Sequence, residues 1–413
     1  MRGATRNQVK PDPASLLSVV ASLVRESIDI IDERVEDTCT PRWSEARGWT
    51  EYLLSLSDAE VARSEAQGLA GSIEVLRGAP AELVSMADRV REALQTIPTQ
   101  SAPSHLQPVR KASPRKLTQL AALLEAAGPM LSSAARLVDV GSGSGSLVEV
   151  LSSRFPQPVV GIEIAAERVH AARSRANQPS ASFELRDAVQ SGLGLRSSDL
   201  ALGLHACGAL GDTLITEAAR TGASVALVTC CVQKLRSPWR EPLSRVATTQ
   251  GLRLRREVLG LANLVSREHG VETSIEATMS ARQSRCVLRT LLRGRGIIVR
   301  PGEEMRGINR RTANRGPEAL ASAALRARGL APPSLREWQH AERLGAAAFA
   351  TVRRLSLARS MLGPIVELAV VLDRAQALRE AGQEVAVARL FDQQASPRNL
   401  AILSRTGHAS GCG

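Results

Sequence analysis

Between residues 14 and 97 the apolar positions recur at helical spacing. Leu16, Val20, Leu23, Val24, Ile28, Ile31 and Val35 share one face, and Ser15 stands where an N-cap belongs. Ser57-Asp58-Ala59-Glu60 has the capping-box pattern and predicts another helix start. Pro98, Ser101, Pro103, Ser104 and Pro108 make a break that reads as a linker. A helix over 117–127 is predicted to stop at Gly128-Pro129. Beyond it short apolar runs (136–140, 159–164, 182–186, 199–204, 223–229) alternate with helical segments (146–154, 166–176, 212–221). Strand, helix, strand at this spacing means βαβ units and a parallel sheet.

Two pairs of segments compete to finish that sheet. Residues 252–259 and 286–292 come first in the chain, but Val287, Leu288, Leu291 and Leu292 followed by Gly294 fit a helix ending at glycine. In 384–391, Val385, Val387 and Leu390 nearly alternate; Asp392, Ser396 and Pro397 form a turn; Leu400, Ile402 and Leu403 make a second run. That is a hairpin, so the last two strands are placed at the C-terminus. The predicted organisation is a helical N-terminal domain over 1–105, an α/β core over 106–235, a helical insertion over 236–365, and a last helix and hairpin over 366–413. No internal repeat is present.

At 413 residues, 44% hydrophobic and 23% charged, the composition is globular and excludes wholesale disorder. Aromatics are 2%, so the core is aliphatic, and recognition of nucleic acid by base stacking is disfavoured. The 53 basic against 41 acidic residues give +12, and only Lys10, Lys111, Lys116 and Lys234 are lysines. Such a charge attracts RNA or an acidic protein; a GC-rich coding sequence that fills surfaces with arginine explains it equally well. Six cysteines make no disulfide framework and point to a reducing compartment. The first 13 residues lack a signal-peptide core, and 16–24 is about half a bilayer span. A soluble, cytoplasmic protein without a membrane partner is expected.

The most informative segment is Leu137-Val138-Asp139-Val140-Gly141-Ser142-Gly143-Ser144-Gly145, a buried strand running into three alternating glycines with a helix behind. Glycines let a ligand touch the backbone, and the helix start supplies free N–H groups. Glu163 ends the next strand, 22 positions after Gly141, where a carboxylate can accept both ribose hydroxyls. A dinucleotide fingerprint would want glycine or alanine at Ser146. S-adenosylmethionine sites instead carry an acid two before the first glycine, then G-x-G-x-G, and Asp139, Gly141, Gly143 and Gly145 match. Asp187, after the third strand, is placed to meet the adenine amino group.

His205 and Cys207 follow the fourth strand, where the methyl group is delivered, and His205 is either a proton acceptor or a pocket-shaping side chain. Cys230 and Cys231 follow the fifth strand. With no C-x-x-C spacing, and with adjacent cysteines usually pointing apart, small apolar packing is expected and no metal. The densest basic run is Arg282, Arg285, Arg289, Arg293, Arg295, Arg300, Arg306, Arg310, Arg311 and Arg315. It reads as a phosphate-binding wall beside the donor pocket, or as a solvated helix face.

Taken together these motifs resemble the methyltransferase domain family of the methyltransferase-like 25 proteins and of the protein named for an rRNA adenine dimethylase domain. They are more distantly similar to the tRNA acceptor-stem 2′-O-methyltransferase. Residues 49–68, Ser113-Pro114-Arg115-Lys116, 139–145, Gly161-Ile162-Glu163, 204–208, Cys230-Cys231, 306–310 and Ser396-Pro397-Arg398-Asn399 carry the likeness in order. Thr118-Gln119 and Val232 depart from it, where the family tends to have His-Glu and an aromatic. The resemblance implies a class I, Rossmann-like S-adenosylmethionine-dependent methyltransferase acting on tRNA or rRNA. Lys116, His205 and Cys207 would be catalytic, and Arg282, Arg285, Arg306, Arg310 and Arg311 would grip structured RNA. The alternatives are a non-catalytic donor- or RNA-binding module, which the departures favour, and a protein or small-molecule acceptor.

Overall fold

The structure is a computed structural model and describes residues 13–100, 113–262, 275–309, 315–392 and 395–406. The chain divides into two compact units that do not follow its linear order. One takes the described residues of Met1–Glu26, Val90–Ser266 and Gly363–Gly413; the other takes those of Ser27–Arg89 and Arg267–Leu362. The predicted helical domain over 1–105 is therefore split. Its first helix, Pro13–Glu26, packs on the Gly363–Glu380 helix. The predicted linker begins as sheet edge, with the Arg389 N–H donating to Pro98 and the Gln100 N–H to Arg389, each at 2.8 Å.

The first unit holds a seven-stranded sheet ordered β3-β2-β1-β4-β5-β9-β8. Its strands are β1 Arg136–Val140, β2 Val159–Glu163, β3 Ala181–Leu185, β4 Asp199–Leu204, β5 Ser224–Val228, β8 Gln383–Arg389 and β9 Leu400–Thr406. Neighbours among β1–β5 are parallel, while β9 runs antiparallel to both β5 and β8. β2 and β4 are buried along their whole length and β1 and β5 nearly so, as parallel strands covered on both faces are. Helices Pro114–Leu131, Ser146–Arg154, Ala209–Thr221 and Gly363–Glu380 pack against the sheet. The predicted hairpin is present as β8 and β9. Segment 286–292 lies in the Ile275–Gly294 helix, and 252–259 becomes β7 (Leu254–Arg255, paired with β6, Trp239–Arg240) and a short helix, outside the main sheet.

The helix predicted to stop at Gly128-Pro129 runs through both, from Pro114 to Leu131. Ser113 caps it, its hydroxyl accepting the Lys116 N–H at 3.3 Å, and Pro114 occupies the first turn. Pro129 removes only the hydrogen bond to the exposed Glu125 turn, and carrying on buries Met130 and Leu131.

An ionic cluster fixes the last helix to the core. Asp373, fully buried, accepts from Arg240 Nη1 at 2.7 Å, from the Leu243 and Ser244 amides and from the Ser244 hydroxyl. Arg374, also fully buried, donates to Asp212 at 2.8 Å and to the Gly208 carbonyl at 2.7 Å. Every charge there has its opposite.

In the second unit, Val287, Leu288 and Leu291 of the Ile275–Gly294 helix pack with Leu320, Ala324 and Trp338. Gly345 admits close contact, since a Cβ there would lie 2.6 Å from the Val287 Cα.

Asp373→Ala leaves Arg240 and Arg374 to share the one carboxylate of Asp212 and strands the Leu243 and Ser244 amides in the core. Breaking such a buried pair costs about 3–5 kcal/mol. Urea unfolding should register that loss; a change below about 1 kcal/mol would mean the cluster is solvated in solution.

Candidate functional site

The glycine loop leaves β1 with left-handed backbone at Gly141 (φ 75°), Gly143 (φ 58°) and Gly145 (φ 84°). Gly145 caps the Ser146–Arg154 helix, and a Cβ on it would meet the Phe183 ring at 2.9 Å. The third glycine therefore serves loop conformation and packing together. The Gly141 and Ser142 amides donate to the Ile162 carbonyl at 2.9 and 3.0 Å, laying the loop on the end of β2.

Glu163 holds this loop. Its Oε2 accepts the Gly143 N–H at 2.9 Å, and its Oε1 accepts those of Ile164 and Ala165 at 3.1 and 3.0 Å. Arg168 stands 3.8 Å from Oε2. Oε2 thus receives one N–H where Oε1 receives two, leaving it acceptor capacity. The Ser142 hydroxyl is buried in the loop without a hydrogen-bond partner. Glu163 is in register with Leu185 across β2 and β3. Ile164 and Leu185 are more than half exposed, two large aliphatics at the carboxyl ends of neighbouring strands. In the sequence their one signal is an apolar residue directly after an acid, Ile164 after Glu163 and Leu185 after Glu184.

Asp139 is buried at the end of β1. Burial pushes its carboxyl up to about 7, the Lys116 ammonium opposing and the Glu163 carboxylate adding to the rise. Burial in turn lowers Lys116, with Asp139 opposing. Asp187 sits at the start of the Ala188–Ser191 helix and is ion-paired with Arg236, whose hydrogen bond holds its carboxyl below the usual range. Its role toward an adenine amino group would require sharing that pair.

At the end of β4, His205 adopts φ 73°, the left-handed conformation that no other non-glycine among the described residues takes. Its Nε2 faces Gln119 Oε1 at 3.1 Å, while Gln119 Nε2 donates to the Ala395 carbonyl at 3.1 Å. The amide orientation so fixed makes Oε1 the acceptor, so His205 carries its proton on Nε2. Nδ1 is left as a bare lone pair, buried and without a partner. Burial, then the charges of Lys116, Arg398 and Arg115, lower this imidazole to about 4, so it is neutral at physiological pH. Gln119, which departs from the resembled family's pattern, thus sets the tautomer; Thr118 only bonds its own helix at the Pro114 carbonyl. Gly208 closes the loop, since a Cβ there would lie 2.0 Å from the Lys234 carbonyl oxygen.

The cysteines overturn two expectations. Cys207 and Cys230 are joined as a disulfide. Adjacent Cys230 and Cys231 do not point apart, for their sulfurs and that of Cys207 all lie within 4.8 Å of one another. Arg398 Nη1 donates to Cys231 Sγ at 2.8 Å. Arg398 belongs to the hairpin turn that β9 returns to β5, a placement that only the folded sheet reveals.

Of the arginine run, several members are structural within the second unit. Arg289 pairs with Asp37 at 3.2 Å and with Glu304 at 3.5 Å, Arg293 shares Asp37, and Arg295 donates to Glu337 at 2.8 Å. Arg282 and Arg285 are half-buried, Arg300, Arg306 and Arg315 are exposed, and Arg310 and Arg311 lie outside the described residues.

Residues 115–238 match the family described as a methyltransferase domain. Among solved structures the chain is similar to the amino pentose methyltransferase CalS10 from Micromonospora echinaspora, at 21% identity over 30% of this chain and 59% of that one, with a TM-score of 0.23. It is similar also to the sugar N-methyltransferase KedS8 from Streptoalloteichus sp, at 20% over 32% and 57% with a TM-score of 0.23. A putative sarcosine dimethylglycine methyltransferase from Galdieria sulphuraria is similar at 16% over 35% and 58%, with a TM-score of 0.24. The chain spans 42% to 59% of the length of the first structures it matches. Likenesses this slight do not speak to substrate. The family match, the strand order and a glycine loop tied to a strand-end carboxylate agree: this core is a class I methyltransferase domain, and its methyl donor is S-adenosylmethionine.

Proposed function

We propose that the protein methylates structured RNA. The observation that carries this reading is the convergence of three cations, Lys116, Arg398 and Arg115, on the buried and neutral His205 at the end of β4. A site so charged favours an anionic acceptor, and the +12 chain as a whole is attracted to a polyanion. The scarcity of aromatic residues favours recognition through backbone and shape.

Bound S-adenosylmethionine supplies a methyl group on a sulfonium that is already a good leaving group, so the domain contributes mainly positioning. Glu163 Oε2 receives a ribose hydroxyl, and Ile164 and Leu185 give the adenine an apolar seat. Asp139, ionised, complements the donor's cationic end, and Asp187 is the carboxylate nearest the adenine edge. Lys116 and Arg398 hold the acceptor's phosphate. His205 Nδ1 takes the proton the acceptor nucleophile releases, with Gln119 keeping that nitrogen bare. A phosphate beside the three cations would offset their effect and raise the imidazole toward a useful basicity. A protein or metabolite acceptor, or donor binding without turnover, is the outcome if RNA is not modified.

Glu163→Ala should weaken donor binding at least about tenfold, since each charge-assisted hydrogen bond is worth about 1.5–3 kcal/mol; calorimetry with unchanged affinity would remove Glu163 from the site. Because the donor is cationic, it should bind the ionised Asp139 better. Affinity should then rise as pH climbs through about 7, with proton release on the acid side, and Asp139→Asn should flatten the profile. A flat wild-type profile would contradict this.

His205→Ala should lower turnover by about a hundredfold or more while donor affinity holds. Gln119→Ala should give an intermediate loss, and full activity in both would make the imidazole structural. RNA affinity should fall steeply with added salt, as counterion release requires. Arg398→Glu should weaken RNA binding, whereas a salt-independent interaction would point to a protein or small-molecule acceptor.

A further inference from the structure

β4 and β5 are parallel neighbours in which Leu204 and Val228 are register partners. Cys207 and Cys230 therefore leave the sheet side by side. The left-handed backbone at His205 turns the chain back, so that the two Cα atoms stand 5.4 Å apart and each sulfur lies within 3.4 Å of the His205 carbonyl oxygen. Cys231 joins them, and the three sulfurs lie within 4.8 Å of one another. Sulfurs around a tetrahedral zinc ion, bound at about 2.3 Å, sit about 3.8 Å apart. The cluster thus needs only side-chain adjustments to surround one ion.

We propose that Cys207, Cys230 and Cys231 form a tris-thiolate site for a single soft divalent cation of the Zn²⁺ class, and that the Cys207–Cys230 disulfide is its oxidised, metal-free form. Thiolate ligands select zinc over the hard cations magnesium and calcium. Three thiolates and a dication carry a net negative charge, which the Arg398 guanidinium offsets through its 2.8 Å N–H···S contact with Cys231. Hydrogen bonds of this outer-shell kind orient and tune metal ligands. Among the described residues no histidine or carboxylate joins the group, so a fourth position stays open, as in zinc sites that bind a reactant. The cluster itself lies beside His205, whose carbonyl oxygen the Cys207 and Cys230 sulfurs approach at 3.2 and 3.4 Å.

Metal binding displaces one proton from each thiol. Oxidation removes two electrons and two protons from Cys207 and Cys230, and a small disulfide oxidant takes them up to become two thiols. A dithiol reverses the step. The oxidised form keeps only Cys231 as a thiol and cannot hold the ion.

The test uses the full chain, reduced with a phosphine, freed of reductant without air and titrated with Co²⁺. One equivalent should bind with a thiolate-to-cobalt charge-transfer band, and Zn²⁺ should displace it. The oxidised protein should show no band. Cys207→Ser and Cys231→Ser should each weaken Zn²⁺ binding by more than about a hundredfold, beyond the effect of losing an outer-shell partner. Cys39→Ser, at an exposed cysteine, should change nothing. Retained S-adenosylmethionine binding in the serine variants shows that they fold. A reduced wild type without the band, or a band that survives both Cys207→Ser and Cys231→Ser, overturns the proposal. The readout is metal binding, so its failure is distinct from failure of methyl transfer to RNA.

Discussion

The Glu163 carboxylate is the constraint on which the donor side depends. It is almost wholly buried, and three backbone N–H groups from two loops converge on it. A buried carboxylate must be satisfied, and backbone amides in tight turns must be satisfied too; each requirement answers the other. Gly143 can offer its N–H only because it takes a left-handed conformation, and Gly161 keeps room for the Phe183 ring beneath the loop. The loop is therefore held by the protein's own hydrogen bonds. It sits at the carboxyl ends of β1 and β2, next to the point where the strand order reverses between β1 and β4, which is where open α/β sheets bind ligands.

The loop after β4 is held differently. That loop turns at His205 through a left-handed backbone and closes at Gly208, and the buried Arg374 grips the Gly208 carbonyl and Asp212 together. The Gly363–Glu380 helix thus serves the site through a charge cluster and not through apolar burial alone. Positive charge from Lys116, Arg115 and Arg398 reaches the same loop from the Pro114–Leu131 helix and the hairpin turn, segments distant in sequence. One end of the sheet accordingly gathers the carboxylates of Asp139 and Glu163 and, beside them, the cations around His205.

β2, β4 and β5 were legible because each is a short apolar run opened by Pro158, Ser198 or Gly222, and the hairpin because Val385 and Val387 alternate with smaller residues. Glu163 and the three glycines were legible because their chemistry is local. What depends on tertiary partners was hidden. Helical periodicity in 14–97 reveals a buried face but not which core it joins, so the division at Glu26 and Val90 escaped. Pro129 reads as a stop until Met130 and Leu131 are seen to bury beyond it. The convergence of Cys207 with Cys230 and Cys231 follows from a positive φ at His205, which spacing does not announce. The pairing of Arg289 and Arg293 with Asp37 spans most of the chain, so a basic run looked freer than it is.

The central claim is that the loop anchored by Glu163 is a preformed seat for S-adenosylmethionine. The most direct test is calorimetric titration of the purified full chain with S-adenosylmethionine, with NAD run in parallel. One equivalent of S-adenosylmethionine should bind and NAD should give no heat. Binding of NAD in its place, or no binding of S-adenosylmethionine at all, would contradict the account.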